Sequence, residues 1–232
     1  MASAPASEYT AQAQGASARR LAIWVCLVGL PLAYELSGIL RGPERFYEGD
    51  RAFWYAGFDV RIVLLAVGVA AVVYALWRSR RGLSAVGWPA RVPVPVWIGA
   101  VLLVGVGVLL AMQHPASVSS SVLPVSASTP VDPLERACLL ILAVTEAIGQ
   151  EMIWRGALIR WLEPSVGTVG AVLLAGASYI FYHPGFGMQV KTLAVTIPVT
   201  AVYSALYLWR RNLLPSTFLH FVITAGQLTI PI

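Results

Sequence analysis

Several ionisable side chains lie inside long apolar stretches of the sequence, where their chemistry would be shielded from bulk water. Carboxylates and imidazoles are the groups that most often move protons in catalysis. Inside a bilayer, an ionisable side chain costs at least about 2.5–3.5 kcal/mol, so it normally faces a partner or a polar cavity. The candidates are therefore the following residues: Glu35, Glu146, Glu151, Arg155, His183 and His220.

The spacing of these residues suggests one cluster built from three segments. Glu151 and Arg155 are four residues apart, so they share one face of a helix. Taken alone, they fit an internal ion pair that lets a charged helix lie within a protein. A single histidine would equally fit ordinary packing, but His183 and His220 lie on two further segments. Two histidines and a glutamate on three segments favour a functional site.

The composition indicates a protein of the membrane. Of 232 residues, 58% are hydrophobic and only 12% are charged, and the mean hydropathy is +0.73. Soluble domains carry about 25% charged residues, so the composition excludes that the chain as a whole is a soluble enzyme, a disordered tail or a nucleic-acid-binding domain. The two cysteines, Cys26 and Cys138, lack the spacing of a metal site or a disulfide framework, and we interpret both as small core residues.

The apolar runs predict an all-α, polytopic membrane bundle of about seven transmembrane helices without an extramembrane domain. Residues 1–18 are predicted to be a disordered cytoplasmic tail. Residues 19–112 would hold three accessory helices, and residues 113–133 a Ser/Pro-rich external loop. Residues 134–232 would hold a core of four helices. The predicted runs are 21–40, 60–77, 94–112, 134–162, 166–182, 192–209 and 213–230.

The distribution of arginines predicts the orientation of the bundle. Cytoplasmic loops carry an excess of Lys and Arg. An N-terminus in the cytoplasm places the larger set of arginines inside, namely Arg19, Arg20, Arg78, Arg80, Arg81, Arg91, Arg155, Arg160, Arg210 and Arg211. We therefore expect a multi-pass protein of the cell (inner) membrane with its N-terminus in the cytoplasm.

Helix geometry sets a condition on the predicted cluster. At 1.5 Å per residue, Glu151 would lie about 16 Å from the inner end of its helix, His183 about 25 Å and His220 about 10 Å. Straight, upright helices would therefore leave these side chains up to about 15 Å apart in depth. They can meet only if the helices tilt or kink.

Three short motifs resemble those of the CPBP family of intramembrane endopeptidases (CAAX proteases, bacteriocin-processing and abortive-infection proteins). The family pattern is Glu-Glu-x-x-x-Arg, then Phe-x-x-x-His, then His-x-x-x-Asn or Asp. This chain reads Gln150-Glu151-Met-Ile-Trp-Arg155 followed by Gly156, then Tyr179-Ile-Phe-Tyr-His183, then His220-Phe-Val-Ile-Thr224. The order, spacing and apolar setting of the motifs carry the resemblance, which covers about residues 134–230.

The resemblance implies that a carboxylate and a histidine activate a water molecule, roles that fall on Glu151 and His183. It also implies that His220, with Thr224, donates hydrogen bonds to the developing oxyanion. No cofactor or metal is expected. The partners implied are the bilayer and a membrane-anchored protein or peptide as substrate, with no nucleic acid.

The chain departs from the family pattern at three positions, where it has Gln150, Tyr179 and Thr224. An amide cannot accept a proton near neutral pH, so Gln150 cannot be a general base. The sequence is consistent with three possibilities. Glu151 serves as the base, Glu146 one turn before Gln150 supplies the carboxylate, or the protein is a non-catalytic scaffold on a protease-like fold.

Other membrane functions fit the sequence less well. Two histidines and a glutamate can hold zinc, but no His-Glu-x-x-His motif is present. The Gly-x-Ser-Gly element of rhomboid-type proteases and the Gly-x-Gly-Asp element of presenilin-type proteases are also missing. A transporter would explain polar midplane residues, although the sequence shows no inverted repeat.

Overall fold

The computed structural model describes residues 6–41, 51–89, 143–182 and 190–229, and these residues form helices and short turns without a strand. This confirms the all-α class for the described part. The predicted third helix at 94–112, the loop at 113–133, Cys138 and His183 lie outside the described residues.

The helices follow the predicted apolar runs, but those of the first two runs begin earlier than predicted, at Ala6 and Arg51 rather than at residues 21 and 60. They are α1 (Ala6–Trp24), a π-helical turn (Val25–Gly29), α2 (Leu30–Arg41), α3 (Arg51–Arg78), a 3-10 turn (Leu83–Val86), α4 (143–150), a π-helical segment (Glu151–Ile159), α5 (Arg160–Tyr182), α6 (Val190–Arg210) and α7 (Leu213–Thr229).

The extension of α1 runs through residues for which the sequence predicts no regular structure. This part of the chain is rich in alanine, the best helix former. It also packs against the end of α3: Ala18 lies in a small apolar cluster with Ala75, and the Ser79 hydroxyl donates to the Gly15 carbonyl at 3.4 Å. Tertiary contacts therefore hold a helix where local polarity suggests a tail.

Three described helical runs are long and apolar enough to cross a membrane, which supports a membrane protein. They are Ala13–Leu36, Ala143–Tyr182 and Leu193–Arg210, while Ile62–Arg78 and Leu213–Ala225 are shorter apolar helices. The predicted count of seven is not confirmed by this set.

The longest run, Ala143–Tyr182, folds back on itself as a hairpin. Gly167 has φ 72° and ψ 169°, a conformation that glycine adopts without the steric cost of a Cβ. Trp154 Nε1 consequently donates to Ser178 Oγ at 3.0 Å, although 24 residues of straight helix would separate them by about 36 Å. The predicted fourth and fifth helices are thus the two arms of this hairpin.

One end of the bundle gathers polar contacts between the turns. Arg160 donates to the Ser84 carbonyl, and the Leu213 N–H donates to the Gly87 carbonyl, both at 3.0 Å. Arg211 donates to both carboxylate oxygens of Glu163, at 2.6 and 2.7 Å. The hydrogen bonds from Arg211 to Glu163 raise the pKa of the guanidinium. These contacts bring the ends of four helical segments together.

Exposed tryptophans with arginines stacked on them mark the same end of the bundle. The Arg78 guanidinium lies 5.7 Å from the Trp77 ring and that of Arg210 lies 4.9 Å from the Trp209 ring. Tryptophan and arginine are typical of the membrane–water interface. Arg155 was also predicted to lie among the arginines at the cytoplasmic end of the bundle. It instead lies in the interior, where it is 1% exposed and pairs with Glu151.

Candidate active site

The first motif lies in the π-helical segment except for Gln150, which directly precedes it, and all residues of the segment are buried. A π-helix has i→i+5 hydrogen bonds and is rare, and such segments occur frequently at functional sites. Gly156 allows the segment to approach the 3-10 turn closely, since a Cβ at this position would lie 2.5 Å from the Val86 carbonyl oxygen. The motif glycine therefore fixes the depth at which Glu151 and Arg155 sit against their neighbours.

Glu151 is the centre of the site and contacts two positively charged or protonatable groups. Its Oε1 lies 2.9 Å from His220 Nδ1 on α7 and 3.1 Å from the guanidinium of Arg155. The three side chains are 0%, 4% and 1% exposed, respectively. An ionised carboxylate cannot donate a hydrogen bond, so Nδ1–H of His220 donates to Oε1. Nε2 is then the imidazole nitrogen that faces the rest of the site.

Two tyrosine rings hold the guanidinium of Arg155 in place. The guanidinium carbon lies 4.1 Å from the ring centroid of Tyr179 on α5 and 5.1 Å from that of Tyr203 on α6. Tyr203 also stacks on the His220 ring, with centroids 4.7 Å apart and planes 18° apart. Aromatic faces attract cations more strongly where water is excluded. The rings therefore hold both Arg155 and His220, the two partners of Glu151, in place.

A polar chain behind the motif joins it to the first membrane helix. Trp154 Nε1 donates to Ser178 Oγ, which in turn donates to the Cys26 carbonyl at 3.1 Å. Trp154 also meets Tyr179 edge-on, with centroids 5.5 Å apart. Cys26 is buried in the core, as predicted. These contacts set the rotation of the π-helical segment relative to α5.

Several buried oxygens of the site helices receive no hydrogen bond from the described part of the chain. They are Glu146 Oε1, Gln150 Oε1, Glu151 Oε2, Thr200 Oγ1 and Thr217 Oγ1. Buried polar atoms almost always have a protein or water partner. We therefore expect each of these oxygens to have a polar partner beyond the described residues.

The structure brings four of the eight predicted site residues together. Glu151, Arg155, Tyr179 and His220 form one contiguous cluster. Thr224 lies one turn beyond His220 on α7 and is partly exposed.

The remaining carboxylate candidates are also buried. Glu146 lies one turn before Gln150 and interacts electrostatically with Tyr179. Glu35 lies on α2 and is 9% exposed, with Oε1 unpartnered among the described residues. His183, expected to assist Glu151, lies outside the described residues.

Tyr203 was not singled out by the sequence, although a signal for it was present. Four residues of α6 with polar groups recur at helical spacing and are all buried: Thr200, Tyr203, Ser204 and Tyr207. This spacing is a polar stripe along one helix face in an otherwise apolar segment. A stripe of this kind indicates a face directed at protein rather than lipid.

The described residues contain no group of three His, Cys, Asp or Glu side chains able to hold a metal ion.

Residues 133–226 match the family model Rce1-like, described as type II CAAX prenyl endopeptidase Rce1-like. The predicted resemblance to the CPBP family is confirmed over these residues. Comparison with curated proteins gives no match, and comparison with solved structures gives none either.

The matched region coincides with the helices that carry the cluster. It includes α4, the π-helical segment, α5 and α6 and most of α7, whereas α1 to α3 precede it. The family consists of CAAX endopeptidases, which are hydrolases. Together with the apolar helices, the match points to a protease activity within the membrane.

Proposed function

We propose that this protein is a membrane-embedded endopeptidase that uses Glu151 and His220 to hydrolyse a peptide bond. The observation that carries the proposal is the 2.9 Å contact between Glu151 Oε1 and His220 Nδ1, made by fully buried side chains from two of the three motifs. A carboxylate that accepts a hydrogen bond from an imidazole in this way fixes the orientation of the imidazole ring. The family match over the same helices supports peptide hydrolysis as the reaction.

The two oxygens of Glu151 have different surroundings, and this suggests their roles. Oε1 is occupied by His220 and Arg155, whereas Oε2 receives no hydrogen bond from the described residues. In the proposed reaction, Oε2 accepts a proton from water while the water oxygen attacks the peptide carbonyl carbon. The carbonyl π electrons move to its oxygen, forming a tetrahedral oxyanion. When the oxyanion collapses, the C–N bond breaks and the proton passes from Glu151 to the leaving nitrogen.

The remaining parts of the site support this step. In the proposed reaction, His220 would donate from Nε2–H to the oxyanion, a role that requires a proton on both imidazole nitrogens in the reactive state. Arg155 would balance the Glu151 charge and, with Tyr203, hold the two reactive side chains in place. His183 is expected to help polarise the water, as the resemblance implies, and Thr224 to lie beside the oxyanion.

The substrate we propose is the membrane-anchored end of a protein or peptide. The name of the matching family indicates a prenylated C-terminal CAAX sequence as the first probe. We further propose that the arginine-rich end of the bundle faces the cytoplasm, which would also place the N-terminus there. The positive charge of cytoplasmic loops is the basis for this assignment.

Cleavage assays in proteoliposomes test the proposed function. One probe is an internally quenched peptide with a farnesylated C-terminal CAAX sequence, and a second is a quenched single-span membrane peptide. We expect Glu151→Gln and His220→Gln to lower the cleavage rate at least 100-fold, because a general base contributes about 10²–10⁴-fold and one oxyanion donor about 10²–10³-fold. Glu163→Gln is the matched control, since it makes the same substitution in the turn of the hairpin and should cut within threefold of the parent.

Two results would overturn the proposal. The first is cleavage at the parent rate by both Glu151→Gln and His220→Gln. The second is no turnover of either probe by the parent protein, a result that favours a non-catalytic scaffold with the same fold.

A further inference from the structure

The hydroxyl of Tyr179 lies beside the imidazole nitrogen that points away from Glu151. Tyr179 Oη and His220 Nε2 are 3.5 Å apart, and the two rings meet edge-on at 79°. Both side chains are 4% exposed. The family pattern has phenylalanine at this position, so the hydroxyl is an addition of this chain to the motif.

The distance between these two atoms suits a shared acceptor better than a direct bond. An O–H donor and its acceptor are usually about 2.5–3.0 Å apart, so 3.5 Å is long for a hydrogen bond between Tyr179 and His220. When Nε2 carries a proton, as the proposed oxyanion role of His220 requires, this nitrogen and the Tyr179 hydroxyl can both donate to one oxygen about 2.8 Å from each. Donors about 2.7–3.1 Å from the developing charge are the geometric requirement of an oxyanion hole.

Contacts around the Tyr179 ring orient its hydroxyl and favour donation. The Arg155 guanidinium lies 4.1 Å from the ring centroid, and Trp154 packs edge-on against the ring. A cation over the ring draws electron density from the phenol, which strengthens the O–H as a donor. A tyrosine hydroxyl is also protonated at neutral pH and needs no partner to supply its proton.

We propose that Tyr179 Oη is a second oxyanion donor, acting together with His220 Nε2. The inference rests on the proposed peptidase function and assigns a direct contact with the reacting oxygen. As negative charge develops on the carbonyl oxygen, both donors would approach it, so their contribution is greatest in the tetrahedral state. Tyr179 is thereby a catalytic residue rather than only part of the wall around Arg155.

Tyr179→Phe tests this inference because it removes the hydroxyl and keeps the ring over Arg155. With the farnesylated quenched peptide, we expect kcat to fall at least tenfold while KM stays within twofold. Binding of a peptide aldehyde, whose hydrate mimics the tetrahedral state, should weaken by a similar factor. Tyr207→Phe is the matched control: it removes another buried hydroxyl, near Arg211 and Gly87, and should leave both quantities within threefold.

The outcomes separate this inference from the function on which it rests. Tyr179→Phe with the parent kcat and aldehyde affinity, in a protein that Glu151→Gln inactivates, overturns the inference alone. Parent-like cleavage by both Glu151→Gln and His220→Gln overturns the proposed function. A loss that Tyr207→Phe reproduces, or a rise in KM with unchanged kcat, assigns the Tyr179 hydroxyl to packing and also overturns the inference.

Discussion

Replacing Arg155 by methionine should destabilise the protein by leaving a buried carboxylate without its main cationic partner. Glu151 is fully buried and Arg155 is 1% exposed, so solvent does not screen their interaction. Methionine fills a similar space and keeps an apolar contact with Tyr179. The substitution therefore removes the charge with little loss of volume.

The expected magnitude follows from the remaining partner of Glu151. Breaking a buried ion pair by removing one member costs about 3–5 kcal/mol. His220 still donates to Glu151 at 2.9 Å, so we expect the lower end, about 3 kcal/mol. For a chain of this size, about 1 kcal/mol corresponds to roughly 2–4 °C, so the melting temperature should fall by about 6–12 °C.

Thermal unfolding of the purified protein in detergent, followed by tryptophan fluorescence, measures this change. The control is the double variant Arg155→Met with Glu151→Gln, in which neither charge is left unpaired. Because both proteins lack the guanidinium–tyrosine contacts, their difference isolates the uncompensated carboxylate. We expect the double variant to recover at least half of the loss. A single variant that melts with the parent, or a double variant less stable than the single, would refute this account of the pair.

Other substitutions test neighbouring parts of the structure. Gly156→Ala should lower stability by about 1–3 kcal/mol, measured by the same melt, because its Cβ would collide with the Val86 carbonyl; an unchanged melting temperature contradicts the close approach. Gln150→Glu, which restores the family pair, should raise kcat in the proteoliposome assay, and a loss of activity argues against a base at this position. Glu163→Gln should lower stability by no more than about 1 kcal/mol, because its pair with Arg211 is partly exposed; a larger loss would show that the pair fastens the turns together.

The sequence predicts the helices well because lipid imposes a simple requirement on composition and length. The predicted runs at 192–209 and 213–230 agree with α6 and α7 to within two residues at each end. Polarity alone does not predict that the N-terminal part of α1 is helical, where the contact of Gly15 with Ser79 supports a helix. Packing between distant segments is not visible in local composition.

Glu151, Arg155, Tyr179 and His220 were predictable from the sequence as candidates, but the geometry of their cluster was not. Glu151 and His220 differ by about 6 Å in depth when α-helical rise is applied to both, yet their side chains are in contact. The π-helical segment explains why ideal helix arithmetic fails there, since it changes the rise and rotation of the residues that carry the motif. The stacking of Tyr203 on His220 also depends on how α6 packs against α7, which no local pattern records.

The central claim is that Glu151 and His220 act as one catalytic unit. The most direct test is the kcat of Glu151→Gln, His220→Gln and the double variant on the farnesylated quenched peptide in proteoliposomes. Residues that act together give strongly non-additive losses. The account predicts that each single variant is at least 100-fold slower than the parent and that the double variant is within threefold of the slower single. Losses that multiply in the double variant, or a single variant at the parent rate, would contradict it.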